Sequence, residues 1–145
     1  MFRDPITDLL RDARTIAVIG LTSSEMRPSY GVSSYMQQQG YRIIPINPKG
    51  EEVLGEKGYK SLREIPEKVD IVDVFRRPDA VPEIVNEVIA FGSEKGSVPA
   101  LWLQETVVHE EAAERARKAG ITVVMDHCIL KEHRKRAGEL REMTK

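Results

Sequence analysis

Five short apolar runs punctuate the chain: Thr15–Ile19, Tyr41–Ile46, Asp70–Phe75, Ala100–Leu103 and Ile121–Met125. Each is apolar continuously rather than at every second residue, which suits strands covered on both faces, as in a parallel sheet. Helical spacing fills the gaps between them. Val32, Tyr35, Met36 and Gln39 share a face and stop at Gly40, a natural C-terminal cap. Val81, Ile84, Val85, Val88 and Ile89 recur at three and four residues and predict a helix ending near Gly92. Ala112, Ala113, Ala116 and Ala119 make a third helical face that stops at Gly120. Asp4 and Pro5 open a preliminary helix over residues 4–13, with Ile6, Leu9 and Leu10 on one side. Lys49–Ile65 is turn-rich and predicts only short structure.

Strands alternating with helices imply an α/β fold built from right-handed crossovers, with helices on both faces of a five-stranded, mainly parallel sheet. The expected strand order is 2-1-3-4-5. A ligand crevice then lies at the carboxyl ends of the first and third strands, where the order reverses. No repeat, linker or change of composition interrupts the 145 residues, so a single domain spanning 1–145 is expected, with its core at about 15–133. The segment 134–145 reads as a charged tail; Lys131–Lys145 looks like a solvated helix or a frayed end.

Composition narrows the partners. A formal net charge of −1 gives no general attraction to nucleic acid. No apolar stretch is long enough to cross a bilayer, and the polar Met1-Phe2-Arg3-Asp4-Pro5 has no signal-peptide character. With a lone cysteine, Cys128, an internal disulfide and a multi-cysteine zinc site are both excluded. A cytoplasmic location is the expectation.

Residues just past each strand should face the crevice. After the first comes Gly20-Leu21-Thr22-Ser23-Ser24, a tight turn followed by hydroxyl and N–H donors, with a helix starting near Pro28. It is either a phosphate-binding loop or an ordinary capped turn. After the second comes Asn47-Pro48-Lys49, where dinucleotide-binding domains usually carry an acidic residue for the ribose hydroxyls. A cation there favours a ribose bearing a phosphate, as in CoA or NADP, unless Lys49 is a solvated turn residue. After the third comes Phe75-Arg76-Arg77-Pro78-Asp79, with guanidinium groups suited to phosphate or paired with Asp73, Asp79 or Glu83. After the fourth, Gln104 could bond an amide or a nucleotide edge, while Trp102 is expected to fill core.

Catalytic patterns are missing: there is no nucleophile elbow, no paired-histidine metal helix and no phosphate loop of the Walker type. His109 is placed to cap a helix, and Cys128, beside His127, is expected to be a buried structural thiol. The chain reads as a binder, not an enzyme, with no catalytic residue and no metal site.

These same residues resemble the small bacterial and archaeal CoA-binding proteins, which are similar to the nucleotide-binding domain of the succinyl-CoA synthetase alpha subunit. The motifs are IAVIGLTSS with RPSYGV (Ile16–Val32), GYRIIPINPKGEEVLGEKGYKSLREIP (Gly40–Pro66), VDIVDVFRRPDAVPEIV (Val69–Val85), LWLQ (Leu101–Gln104) and VVMDHCILKEH (Val123–His133). The resemblance implies a Rossmann-like, three-layer domain that binds CoA or an acyl-CoA, as a sensor or an accessory module. It would set Gly20, Thr22 and Ser23 at the pyrophosphate, and Asn47, Pro48 and Lys49 at the adenosine and its 3′-phosphate. Phe75, Arg76, Arg77 and Val81 would line the wall beside the adenine or the pantetheine arm. Leu21, Arg27, Ser29 and Gln104 complete the candidate set. Glu105-Thr106 and His127 depart from the pattern, which bears on the exit for the arm and on the charge near the fifth strand. Two other readings stay open: a small NADP-dependent reductase, and a protein-interaction module with a vestigial nucleotide site.

Overall fold

The computed structural model describes residues 4–143, with side chains through 141. The polar start, residues 1–3, and the last two residues of the expected tail lie outside that range. Helix α1 (Pro5–Asp12) begins as its sequence dictates: Asp4 caps it, accepting from the Ile6 N–H at 3.1 Å, with proline at the first helical position. There follow β1 (Thr15–Ile19), α2 (Pro28–Gln38), β2 (Arg42–Ile46), β3 (Ile71–Val74) and α3 (Val81–Lys95). The remaining elements are β4 (Ala100–Leu103), α4 (Glu110–Lys118), β5 (Val123–Met125), α5 (Ile129–Lys135) and α6 (Ala137–Met143).

All five strands run parallel in the order β2-β1-β3-β4-β5. The register brings Ile19 level with both Ile46 and Val74, so three strands end together and their following loops meet. Asp70 fixes the opposite end, its Oδ2 accepting from the Arg14 and Thr15 N–H groups at 2.8 and 3.0 Å.

Both faces of the sheet are covered, which is why the strands are apolar throughout. Ala17, Ile44, Val72 and Leu101 pack towards α3 and α4 in one layer. Ile16, Val18, Ile43, Ile71 and Trp102 pack against the helices of the other, where Leu10, Met36, Ile129 and Leu140 are buried. Trp102 is core, as its sequence position suggests, and its indole N–H donates to the His127 carbonyl at 2.9 Å. His109 caps α4, its Nδ1 accepting from the Ala112 N–H.

Two expectations are corrected. The third helix does not stop near Gly92 but runs to Lys95 and ends at Gly96. Gly92 is there for close packing: a Cβ on it would lie 2.7 Å from a Val98 methyl. Nor is the segment 131–141 a solvated stretch. Glu132, His133 and Leu140 are buried, and Arg136 bridges α5 to α1 through Asp4 Oδ2 (2.8 and 2.9 Å), Thr7 Oγ1 (3.0 Å) and Glu132 Oε1 (3.0 Å). A charged sequence conceals a packed element when its charges pair with one another. Between β2 and β3 there is only short structure: a 3₁₀ turn at Leu62–Glu64, a bridge from Ile46 to Tyr59 and another from Val53 to Glu56. Among the described residues no helix is long and apolar enough to cross a membrane.

Candidate functional site

The crevice is built on the turn after β1. Gly20 has φ +96°, and its N–H donates to the Ile46 carbonyl at 2.9 Å, tying the turn to the end of β2. Ser29, buried in the first turn of α2, donates its hydroxyl to the Gly20 carbonyl at 3.1 Å. Leu21 is fully buried and packs its side chain into the core, so only its backbone is open to the candidate role. From Ser23 to Pro28 the loop is exposed, with Arg27 immediately before α2.

Asn47 serves the loops rather than facing outward. Its Nδ2 donates to the Leu21 and Glu51 carbonyls at 3.0 and 3.2 Å, and its Oδ1 accepts from the Glu51 N–H at 2.8 Å. Both N–H groups and one lone pair of the amide oxygen are thus committed, so the side chain fixes the shape of the crevice it borders. Glu51 in turn accepts from the Ser23 N–H (3.0 Å) and hydroxyl (3.4 Å). The Ser23 donors, expected to meet phosphate, are in this structure met by a carboxylate.

Two compartments open here, with Gly20, Arg27, Phe75 and Arg76 as their common wall. The first, of about 580 Å³, lies over the ends of β1 and β2 and the start of α3; Thr22, Pro48, Lys60, Ser61, Glu83 and Glu87 border it. The second, of about 680 Å³, lies between the start of α2 and the loops after β3 and β4; Val32, Arg77, Pro78, Gln104, Val107 and Cys128 border it. Such volumes suit a nucleotide with an extended substituent.

The expected residues divide accordingly. Gly20, Thr22, Arg27, Ser29, Asn47, Pro48, Phe75, Arg76, Arg77 and Gln104 are brought to the crevice. Val81 is not; as the first residue of α3 it is wholly buried, and Ala80 before it and Ile84 one turn on border the crevice instead. Lys49 is exposed and borders neither compartment, whereas Lys60 borders the first. The contact of Tyr59 with the end of β2 carries Lys60 there, and no local motif announces it. Glu83 and Glu87, four apart on α3, show the helical spacing that could have flagged them. Burial and the neighbouring Glu83 raise the Glu87 carboxyl above its ordinary range, against the pull of Arg76.

Asp73, weighed above as a partner for the arginines, is instead enclosed in the sheet. Its Oδ1 accepts from Gln104 Nε2 at 2.6 Å, and burial pushes its carboxyl up to about 7 despite that bond. Arg77, largely exposed, has Asp79 at 3.7 Å. Glu105, which borders the second compartment with the arginines, pairs with Lys131 at 3.0 Å. Cys128 is buried as expected, yet it borders the second compartment. Among the described residues no group of histidine, cysteine, aspartate or glutamate could hold a metal ion.

Residues 14–134 match the model of a family described as CoA binding domain. The chain is 41% identical over 128 residues to uncharacterized protein YneT of Bacillus subtilis, covering 88% of this chain and 91% of that protein. It is 29% identical over 128 residues to the alpha subunit of acetate–CoA ligase (ADP-forming) II of Pyrococcus furiosus. That match covers 84% of this chain but only 28% of the subunit. Among solved structures, a Thermus thermophilus protein superposes with a TM-score of 0.83 at 39% identity, covering 93% of this chain and 98% of its own. A hypothetical protein from Pyrococcus horikoshii gives 0.82 at 34% identity, over 90% and 88%.

Proposed function

The chain belongs to the CoA binding domain family, and from that premise we propose that it binds CoA or an acyl-CoA in the crevice at the carboxyl ends of its strands. The phosphorylated adenosine end takes the first compartment, near Thr22, Pro48 and Lys60. The pyrophosphate passes the shared wall, and the extended arm enters the second compartment. The supporting observation is the position of Arg27 and Arg76, which border both compartments where the two negative charges of a pyrophosphate would cross. Guanidinium groups there match that charge and its geometry, and the Ser23 N–H joins them once Glu51 is displaced from it.

Binding without catalysis, as a sensor or an accessory module, is the role that fits the absence of a recognisable nucleophile motif. Occupation of the site moves a carboxylate: a phosphate at the Ser23 N–H replaces Glu51, so the loops after β1 and β2 change their link when ligand arrives. Titration calorimetry with CoA, dephospho-CoA and NADP tests this reading. Micromolar or tighter binding of CoA, weaker binding of dephospho-CoA and none of NADP is the expected order. Equal affinity for all three, or none, overturns it. A CoA-sized mass released from purified protein on denaturation is a second expected result.

A further inference from the structure

A buried pair that the CoA reading leaves unused bears on that same site, and the inference rests on that reading. Asp73 lies within β3, 1% exposed, with Val18 and Trp102 level with it on the adjacent strands. Gln104, just past β4 and 5% exposed, donates Nε2 to it at 2.6 Å and borders the second compartment. An ionised carboxylate only accepts hydrogen bonds, so in that form it turns the amide nitrogen inward and the amide oxygen the other way. Among the described residues no donor meets Gln104 Oε1, and that atom is not sealed from its surroundings.

Around Gln104 the compartment is walled by apolar Val32, Phe75, Pro78 and Val107. Arg27, Arg76 and Arg77 also wall it but donate and do not accept, and the carboxylate of Glu105 is paired with Lys131. A CoA arm carries two secondary amides, and an N–H entering such walls without an acceptor is penalised. We propose that Asp73 is a positioning residue for the ligand: it holds Gln104 so that Oε1 stands as a fixed acceptor for an amide N–H of the CoA arm.

The charge on Asp73 strengthens this hold, so the hold depends on pH. Burial, the Gln104 bond and the Val74 N–H set its titration, and no charged side chain contributes. Of the titratable groups on the same side, Glu132 is bonded to Arg136 and Lys135, and His133 to Tyr35. Cys128, Glu105, Arg27, Arg76 and Arg77 lie along the crevice itself.

Calorimetry with CoA and with adenosine 3′,5′-bisphosphate, which lacks the arm, separates the possibilities. Gln104→Leu and Asp73→Leu are each expected to weaken CoA about five- to tenfold, the loss of one hydrogen bond, and to leave the bisphosphate unchanged. Asp73→Asn keeps an acceptor and is expected to retain most of the affinity. Wild-type affinity for CoA, relative to the bisphosphate, rises from pH 6 to pH 8, while in Asp73→Asn it is flat. Unchanged CoA affinity in both leucine variants, or equal losses for the two ligands in variants with wild-type circular dichroism, overturns the proposal. Wild-type protein that binds neither ligand overturns the CoA reading itself.

Discussion

Gly20 lies so close to Phe75 that a Cβ on it would stand 2.3 Å from the Phe75 carbonyl oxygen. The same residue has φ +96°, a conformation that side chains disfavour. The ends of β1 and β3 can therefore approach only if residue 20 has no side chain, and that approach forms the wall common to both compartments.

Gly20→Ala is accordingly expected to be among the most damaging single changes in the loop. Backbone strain of roughly 1–3 kcal/mol adds to a steric clash of similar size. A lower urea midpoint and at least tenfold weaker CoA binding are the expected measurements.

Lys60, rather than Lys49, should read the ribose phosphate. Lys60→Ala is expected to reduce the preference for CoA over dephospho-CoA about three- to tenfold, as befits an exposed cation. Lys49→Ala should leave the preference unchanged in calorimetry.

Asp73 makes stability fall as pH rises. Its carboxyl is raised to about 7 in the folded chain, so the folded state holds a proton that the unfolded state has lost. Between pH ~4 and ~7 each unit costs about 1.4 kcal/mol from this group, and above 7 the loss is complete. Asp73→Asn should lack this contribution, so its urea midpoint gains on that of wild type as pH climbs through the window. The ionised form that weakens the fold is the one that anchors Gln104, which places a cost in stability beside a proposed gain in binding.

Arg136→Ala should loosen the carboxyl-terminal helices. It removes the partner of Asp4 and strips Glu132, whose side chain is 8% exposed, of its shortest hydrogen bond. Burial alone would raise the Glu132 carboxyl, but hydrogen bonds from Arg136 and Lys135 hold it below its ordinary range. A destabilisation of about 2 kcal/mol is expected at neutral pH, less than for a fully enclosed pair. It should shrink as pH falls through the carboxylate range, because the depressed acid loses its contribution once protonated.

Salt should weaken CoA binding steadily. Arg27, Arg76 and Arg77 are exposed, and contacts between such groups and phosphates are screened over about 8–10 Å at moderate ionic strength. A binding constant that does not change between 50 mM and 500 mM salt would contradict the place given to these arginines.

Much of this molecule is written in local pattern. Continuous apolar runs determined five parallel strands, because a strand covered on both faces has no polar side to show. Asp4 with Pro5, and His109 before its acidic turn, determined where two helices begin, since capping acts over only three residues. The order of those elements placed the crevice, and the residues after β1 and β3 were within reach of inspection for that reason. What only the tertiary structure decided involves groups distant along the chain. Residue 60 reaches the crevice through the pairing of Tyr59 with β2, and Asn47 spends its amide on Leu21, 26 positions away. Asp73 finds its partner 31 positions on. A charge's meaning depends on what surrounds it in space: Arg136 and Glu132 look solvated in sequence and are packed in the fold, because each neutralises the other's field.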